Sequence, residues 1–503
     1  MAEYTTIASV DLGSNSFHCQ IARVDGDQIY PLDGLREAVR MGAGLDDNKM
    51  LDEASQARAL ACLQRFGERL RSFQPGDVRA LGTNTLRVAK NAPAFLKKAQ
   101  AALGFPIEVI AGREEARLIY AGVSHSLPVT DERRLVVDIG GGSTEVIVGE
   151  NYEPQRLDSL YMGCVSFSRQ FFSDGKLTKT AFKQAELAAR AELQHIVADF
   201  SRHNWKHAIG SSGTARALAQ VLQLNGLAQS GITPSGLEAL RSQLLKAGDI
   251  TRSGLAGLRD DRASVLPGGL AIMIAVLAEL DIDKMTVADG AMREGILYDM
   301  LGRTHHRDTR DATVTQFMRR YHVDEPQAQR VAGLAANLLQ RLTDGGTRGA
   351  AYLTWAAQLH EIGISVAYSG YHRHSAYIVT HADMPGFSRE EQHRIAQLLL
   401  AHRRSLKKTL PELDESIDWR MVFALRLAVL FCQRRTSINP PVTSAKATDR
   451  KFRLGLDTAW LQRNPLTSTA LCEEIREWEK IGFDVKISGL DSTGSGADMG
   501  AES

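Results

Sequence analysis

Cysteine is scarce in this chain of 503 residues. Its five copies, Cys19, Cys62, Cys164, Cys432 and Cys472, are scattered, and none stands in CxxC spacing. That pattern supports neither a zinc ribbon nor a disulfide framework, and it suits a reducing compartment. Long apolar runs are missing too. No stretch of about 18 apolar residues occurs, so no membrane-spanning helix is expected. The opening MAEYTTIASVDLG lacks a basic leader and has only a short apolar run, so no signal peptide is expected. Neither sign of charge is in excess: 60 Lys+Arg against 59 Asp+Glu leave a net charge of +1. No global field draws in polyanions, and any such ligand must be held by local clusters. Aromatics make up 6% of the chain, and few interleave with its basic clusters. Single-stranded nucleic acid is therefore not an expected partner.

What is present is an ordinary globular composition, 44% hydrophobic and 24% charged, long enough for three or four domains. One stretch organises it. Val136 to Gly149 reads VVDIGGGSTEVIVG: an apolar run ending in Asp138, three glycines (Gly140, Gly141, Gly142), then Ser143, Thr144, Glu145 and a second apolar run. This reads as strand, tight turn, strand. A turn with almost no side chains lets backbone N–H groups approach an anion, and the flanking carboxylates could hold a hydrated divalent cation. A plain hairpin turn would look similar. Val10 to Val24, VDLGSNSFHCQIARV, repeats the shape, with Asp11 matching Asp138 and Gly13 matching Gly140. Its turn is Gly13, Ser14, Asn15 and Ser16. This is an internal repeat of a large unit, not a solenoid period. Two such loops facing each other across a cleft would make a phosphate site.

DLGSNSF, GREEARLIYAGV, DIGGGSTE, GSSGTARAL and VADGAMREGIL follow in this order. Together they resemble the exopolyphosphatase / guanosine pentaphosphate phosphohydrolase family, within the actin-like, sugar-kinase phosphotransferase superfamily. The implied fold is α/β: two ribonuclease-H-like (actin-like ATPase) domains, an all-α HD-like domain and a small α+β C-terminal domain. The expected bounds are 1–125, 126–302, 303–436 and 437–488, with a disordered tail over 489–503. Strands are expected at 6–11, 16–24, 28–40, 78–82 and 107–110, with a helix over 51–73, another running from after Gly82 to Leu96, and a third over 114–123. The second half repeats the plan, with strands at 134–139, 143–149, 155–162, 206–209 and 284–288 and helices at 166–172, 178–203, 215–224 and 291–301. Residues 302–313 read as a polar linker and 436–449 as a boundary. A strand over 452–456 and a helix over 468–480 are expected beyond it.

Glu114 and Glu115 fall in the first turn of a helix, where acidic residues complement the helix dipole. The resemblance singles out Glu115 as the catalytic carboxylate. Glu145, three residues past the glycines, could share the water or bind metal, or be a solvated edge carboxylate. Asp11, Asp138 and Glu145 are the candidate Mg²⁺ ligands; the two aspartates could instead cap their own turns. Arg117 is expected to make a structural ion pair. Ser212 and Gly213, in GSSGT, sit between a strand and a helix N-terminus, an anion site. Arg87 could clamp the scissile phosphoryl bidentately, or lie on a helix surface. LHEIG and HRHSAYIV resemble an HD-type metal module, but Glu361 stands where that module has aspartate. A degenerate, structural version is expected. Arg403, Arg404, Lys407, Lys408, Arg434 and Arg435 form local basic clusters, solvated faces or a track for a long polyanion.

The reading that results is an Mg²⁺-dependent exopolyphosphatase, processive on long chains. The resemblance also implies a homodimer and, in some members, K⁺ stimulation. A cytoplasmic location is expected, with peripheral attachment to the inner face of the membrane left open. Hydrolysis of guanosine pentaphosphate is the first rival. A non-catalytic polyphosphate or nucleotide sensor is the second, and a sugar kinase the least supported.

Overall fold

A computed structural model describes residues 5–26, 28–128, 130–304, 308–343, 349–436, 440 and 442–490. The chain divides into two compact units. The first holds residues 1–309 and 385–388; the second holds 310–384 and 389–503.

The first unit contains two five-stranded sheets of the same plan. Strands β1 (Thr5–Leu12), β2 (Phe17–Asp25), β3 (Gln28–Glu37), β4 (Val78–Gly82) and β5 (Ile107–Val109) run in the order β3-β2-β1-β4-β5. Strands β6 (Arg134–Ile139), β7 (Thr144–Glu150), β8 (Glu153–Leu160), β9 (His207–Ser211) and β10 (Met285–Val287) run in the order β10-β9-β6-β7-β8. In each sheet the first three strands are antiparallel neighbours and the later two are parallel additions. The central strands read as continuous apolar runs because both faces are covered: every residue of β6 is buried. Helices Glu53–Leu70 and Ala92–Leu103 bury Leu63, Phe66 and Phe95 in the core of the first sheet. The helix Leu266–Glu279, apolar up to its last residue, sits in the core of the second. This is the expected ribonuclease-H-like repeat.

Four expectations need correction. The single helix after Gly82 is two, Asn84–Val88 and Ala92–Leu103, because Ala89 turns extended and Pro93 restarts the helix. The helix expected over 178–203 ends at Leu193. The polar stretch 302–313 is helical up to Thr304 and again from Thr309; residues 305–307 lie outside the described ones. The boundary at 436–449 contains a strand, β11 (Val442–Thr448).

The second unit is helical through Phe431 and then forms a three-stranded sheet, β11-β12-β13, of β11, β12 (Lys451–Leu456) and β13 (Asp484–Ser488), with helix Pro465–Glu479. Phe423, Phe452, Trp478 and Phe483 pack together, with ring centroids 4.5 to 5.5 Å apart. Strand β13 was not anticipated. Its single alternation, Val485 and Ile487 buried, is too short to stand out in sequence. Of the tail expected to be disordered, residues 491–503 lie outside the described ones.

Candidate active site

The two glycine-bearing hairpins of the first unit meet. Register is identical in both: Asp11 pairs with His18 across β1–β2, and Asp138 pairs with Glu145 across β6–β7. A Cβ built on Gly141 would stand 2.8 Å from Ser14 Cβ, and one on Gly142 would stand 2.5 Å from Asn84 Oδ1. Only glycine allows that approach. The 140–142 loop is held from behind. The first amides of helix Cys164–Phe171 donate to it, Cys164 N–H to Gly140 O at 2.9 Å and Val165 N–H to Gly141 O at 2.9 Å. The amides of Gly141 and Gly142 take no partner among the described residues. Thr85 Oγ1 donates to Ser14 Oγ at 2.8 Å, and Ser212 Oγ donates to Ile139 O at 3.1 Å.

Between the loops lies a cavity of about 420 Å³. Of the anticipated residues, Asp11, Gly13, Ser14, Glu115, Asp138, Gly141, Gly142, Ser143, Ser212 and Gly213 line it. Asn15, Ser16, Gly140, Arg87 and Glu145 are not part of that lining. Arg87 is turned away from a phosphate clamp: its Nη1 donates to Ile110 O at 2.9 Å and to Glu115 Oε2 at 3.2 Å. Glu145 is fully buried and accepts from Ser159 Oγ at 2.8 Å. Arg117 makes the expected structural pairs, with Glu114 at 2.8 Å and Asp299 at 2.5 Å. These fix the first turn of helix Gly112–His125, from which Glu115 reaches the cavity.

Sequence reasoning missed the cationic half of the lining. Arg36, Arg216, Arg259, Arg262 and Arg293 all reach the cavity, as does His18. They come from β3, three different helix starts and a loop, so no local spacing announces them. Burial and the charge of Arg293 lower the Arg216 pKa.

The carboxylates crowd one another. Burial pushes Asp11 up to about 8, helped by Glu115 and Asp138. Burial raises Glu115, opposed by Arg87, and raises Glu145 well above the ordinary range, helped by Glu115. Asp138 is raised by burial, opposed by hydrogen bonds from Ser211 and Ser212. Asp11 Oδ1 is buried with no hydrogen-bond partner. An orphaned, destabilised carboxylate beside two more suits a site for a cation. Among the described residues no three His, Cys, Asp or Glu side chains close into a cage. That fits Mg²⁺, which keeps most of its waters and takes one or two carboxylates plus substrate phosphate.

Two lobes of the same ribonuclease-H-like plan, with facing glycine-bearing loops and an acidic cluster between them, define a protein of the two-lobed actin-like class. The sequence profile of the Ppx/GppA phosphatase family matches residues 20–304, and that of its domain III matches 309–475. The chain is 38% identical over 489 residues to a guanosine-5'-triphosphate,3'-diphosphate pyrophosphatase of Vibrio cholerae, covering 95% of this chain and 97% of that one. It is 39% identical over 488 residues to the protein of the same name from Vibrio vulnificus, with the same coverage. Among solved structures, an exopolyphosphatase from Cytophaga hutchinsonii is 26% identical, with a TM-score of 0.54, over 59% of this chain and 98% of that one. A Ppx/GppA family member from Aquifex aeolicus, 25% identical, gives a TM-score of 0.50 over 60% and 99%. The chain belongs to the Ppx/GppA phosphatase family. It is an enzyme of that hydrolase family, whose substrates are polyphosphate and guanosine polyphosphates. Among the described residues no helix is long and apolar enough to cross a membrane.

Proposed function

We propose that the chain releases orthophosphate from the end of inorganic polyphosphate. The observation that carries this reading is the composition of the cavity wall. Arg36, Arg216, Arg259, Arg262 and Arg293 line it, while among the described residues no Phe, Tyr or Trp does. Such a wall neutralises consecutive phosphates and offers a nucleobase no Phe, Tyr or Trp ring to stack on. Glu115 takes a proton from water as the water attacks the terminal phosphorus. A carboxylate whose pKa is raised by burial is the better base for this. Loop amides and arginines neutralise the equatorial oxygens, and the bridging P–O bond breaks. Asp11, Asp138 and Glu145 would hold Mg²⁺, directly or through water; when bound, it offsets charge on the phosphoryl oxygens.

In the second unit, Arg404, Lys407, Lys408 and Arg434 are exposed and remain proposed contacts for a long chain. Arg403 is stacked on Tyr371, 4.2 Å from the ring centroid. Arg435 is engaged by Asp324 and Glu361 at 2.9 and 2.6 Å. That pairing also occupies the glutamate in the HD-like position, which supports a structural role there.

Guanosine pentaphosphate is the second reading, favoured by the names of the full-length relatives. Turnover on long polyphosphate and on guanosine pentaphosphate, each at two salt concentrations, separates the two. A preference above about tenfold for the nucleotide, ~1.4 kcal/mol, rejects the polymer reading. A KM for long chains that ignores salt removes the proposed track.

A further inference from the structure

The two lobes repeat a backbone and differ in what they hang on it. One row of paired residues crosses β1, β2 and β3: Asp11, His18, Arg36. Its counterpart crosses β6, β7 and β8: Asp138, Glu145, Ser159. His18 therefore occupies in the first lobe the place that Glu145 occupies in the second. One row is acidic and sits by Glu115; the other carries an imidazole and a guanidinium.

Among the described residues His18 has one hydrogen-bond partner. Its Nδ1 lies 3.1 Å from Nη1 of Arg293, 275 residues further along the chain. A guanidinium only donates, so Nδ1 is the acceptor and the ring proton of the neutral imidazole is on Nε2. Burial, and then the charge of Arg293, lowers His18 to about 3, which agrees with a neutral ring. Arg293 is placed against the local electrostatics. It stands in the first turn of helix Met292–Thr304, where the dipole disfavours a cation, and it shares a wall with other arginines. Among the described residues its one ion pair is with Glu294, at 3.1 Å. A guanidinium held in such a place is arranged for an anion that arrives from outside.

We propose that His18 is a positioning residue, holding Arg293 so that its remaining N–H groups face the leaving phosphate chain. The acidic row then serves the attacking water and the basic row the departing oxygen. This rests on the hydrolytic reading of the cavity. As the water oxygen bonds to phosphorus and its proton passes to Glu115, the bridging bond breaks and its electron pair leaves with the chain. Arg293 neutralises that charge.

A double-mutant cycle tests the pair. His18→Leu is expected to lower kcat on polyphosphate about 10- to 100-fold. His18→Asn, whose Oδ1 can stand in for Nδ1, should recover most of the loss. In an Arg293→Ala background His18→Leu should change kcat less than about twofold. Calorimetry with tripolyphosphate should show the same coupling in Kd, independent of turnover. Equal losses in both backgrounds, or no rescue by Asn, overturn the proposal. Should His18→Leu fail to fold, His18→Gln, whose amide reaches the Nε2 position, takes its place and should behave as the unrescued variant. Coupled binding without phosphate release from the wild-type chain would refute the hydrolytic reading and leave the His18–Arg293 pair standing.

Discussion

Glu115 is buried, faces one arginine and lies among three other carboxylates, so its charge is held in place at a cost. The Arg87 hydrogen bond at 3.2 Å is what keeps it oriented. Glu115→Gln preserves size and can still accept from Arg87, but it cannot take a proton from water. Phosphate release should fall about 10²- to 10⁴-fold, the usual worth of a positioned general base. Tripolyphosphate affinity should stay within a few-fold, because the arginine wall is untouched. Release that is unchanged would remove Glu115 from the chemistry. Residues of this kind were half legible in sequence. Asp11, Asp138, Glu145 and the glycines end or follow apolar runs, and that local pattern points to them. His18 stands seven residues after Asp11, as Glu145 stands seven after Asp138. Aligning the repeat one step further would have found it. Arg216, Arg262 and Arg293 carry no such signal, because only the packed fold brings their helix starts to one wall.

At the scale of elements, the site depends on how closely helix Cys164–Phe171 backs the second glycine loop. Gly163 precedes that helix with φ −146°, an extended conformation open to any residue. Its constraint is therefore space alone. A Cβ there would stand 2.4 Å from the carbonyl carbon of Gly141 and from the nitrogen of Gly142. Backbone cannot yield as a side-chain end can. Gly163→Ala should shift the loop and destabilise the first unit by about 1–3 kcal/mol, the usual range for overpacking. Gly26, where a Cβ meets nothing within 4 Å but φ is +58°, is the contrast. Gly26→Ala should lower the melting temperature through backbone strain and leave turnover intact, whereas Gly163→Ala should reduce both. The strand pairs and the apolar helices of this unit were legible because each carries its own period or run. Helix ends were less so: nothing local says that 178–203 must stop at Leu193, where the chain turns to return to β9.

Across the whole molecule, the two units should respond to acid in opposite ways. In the second unit His360, His372 and His402 are buried around one another, with His360 and His402 ring centroids 5.7 Å apart. His360 and His402 each engage a backbone carbonyl through Nδ1 at 2.6 Å, while His402 Nε2 and His372 Nδ1 are buried without a hydrogen-bond partner. Burial, then the charge of Arg403, lowers His372 from 6.5 to about 4, and burial lowers His360 and, further, His402. Unfolded, all three bind protons below about 6.5. Folded, they resist doing so. The unfolded chain therefore holds more protons between about 6.5 and 4, and the second unit loses stability as pH falls through that window. Each histidine adds up to ~1.4 kcal/mol per pH unit. The raised carboxylates of the first unit act in the other sense without metal, since they gain stability as acid protonates them. Tryptophan fluorescence separates the two: Trp205 is in the first unit and Trp355, Trp419, Trp460 and Trp478 are in the second. The urea midpoint by fluorescence should fall steadily from pH 6.5 to 4.5, and His402→Leu should make that fall shallower by one proton. A midpoint that is flat or rises over this range would mean that the histidine cluster opens to solvent or is already charged in the native protein.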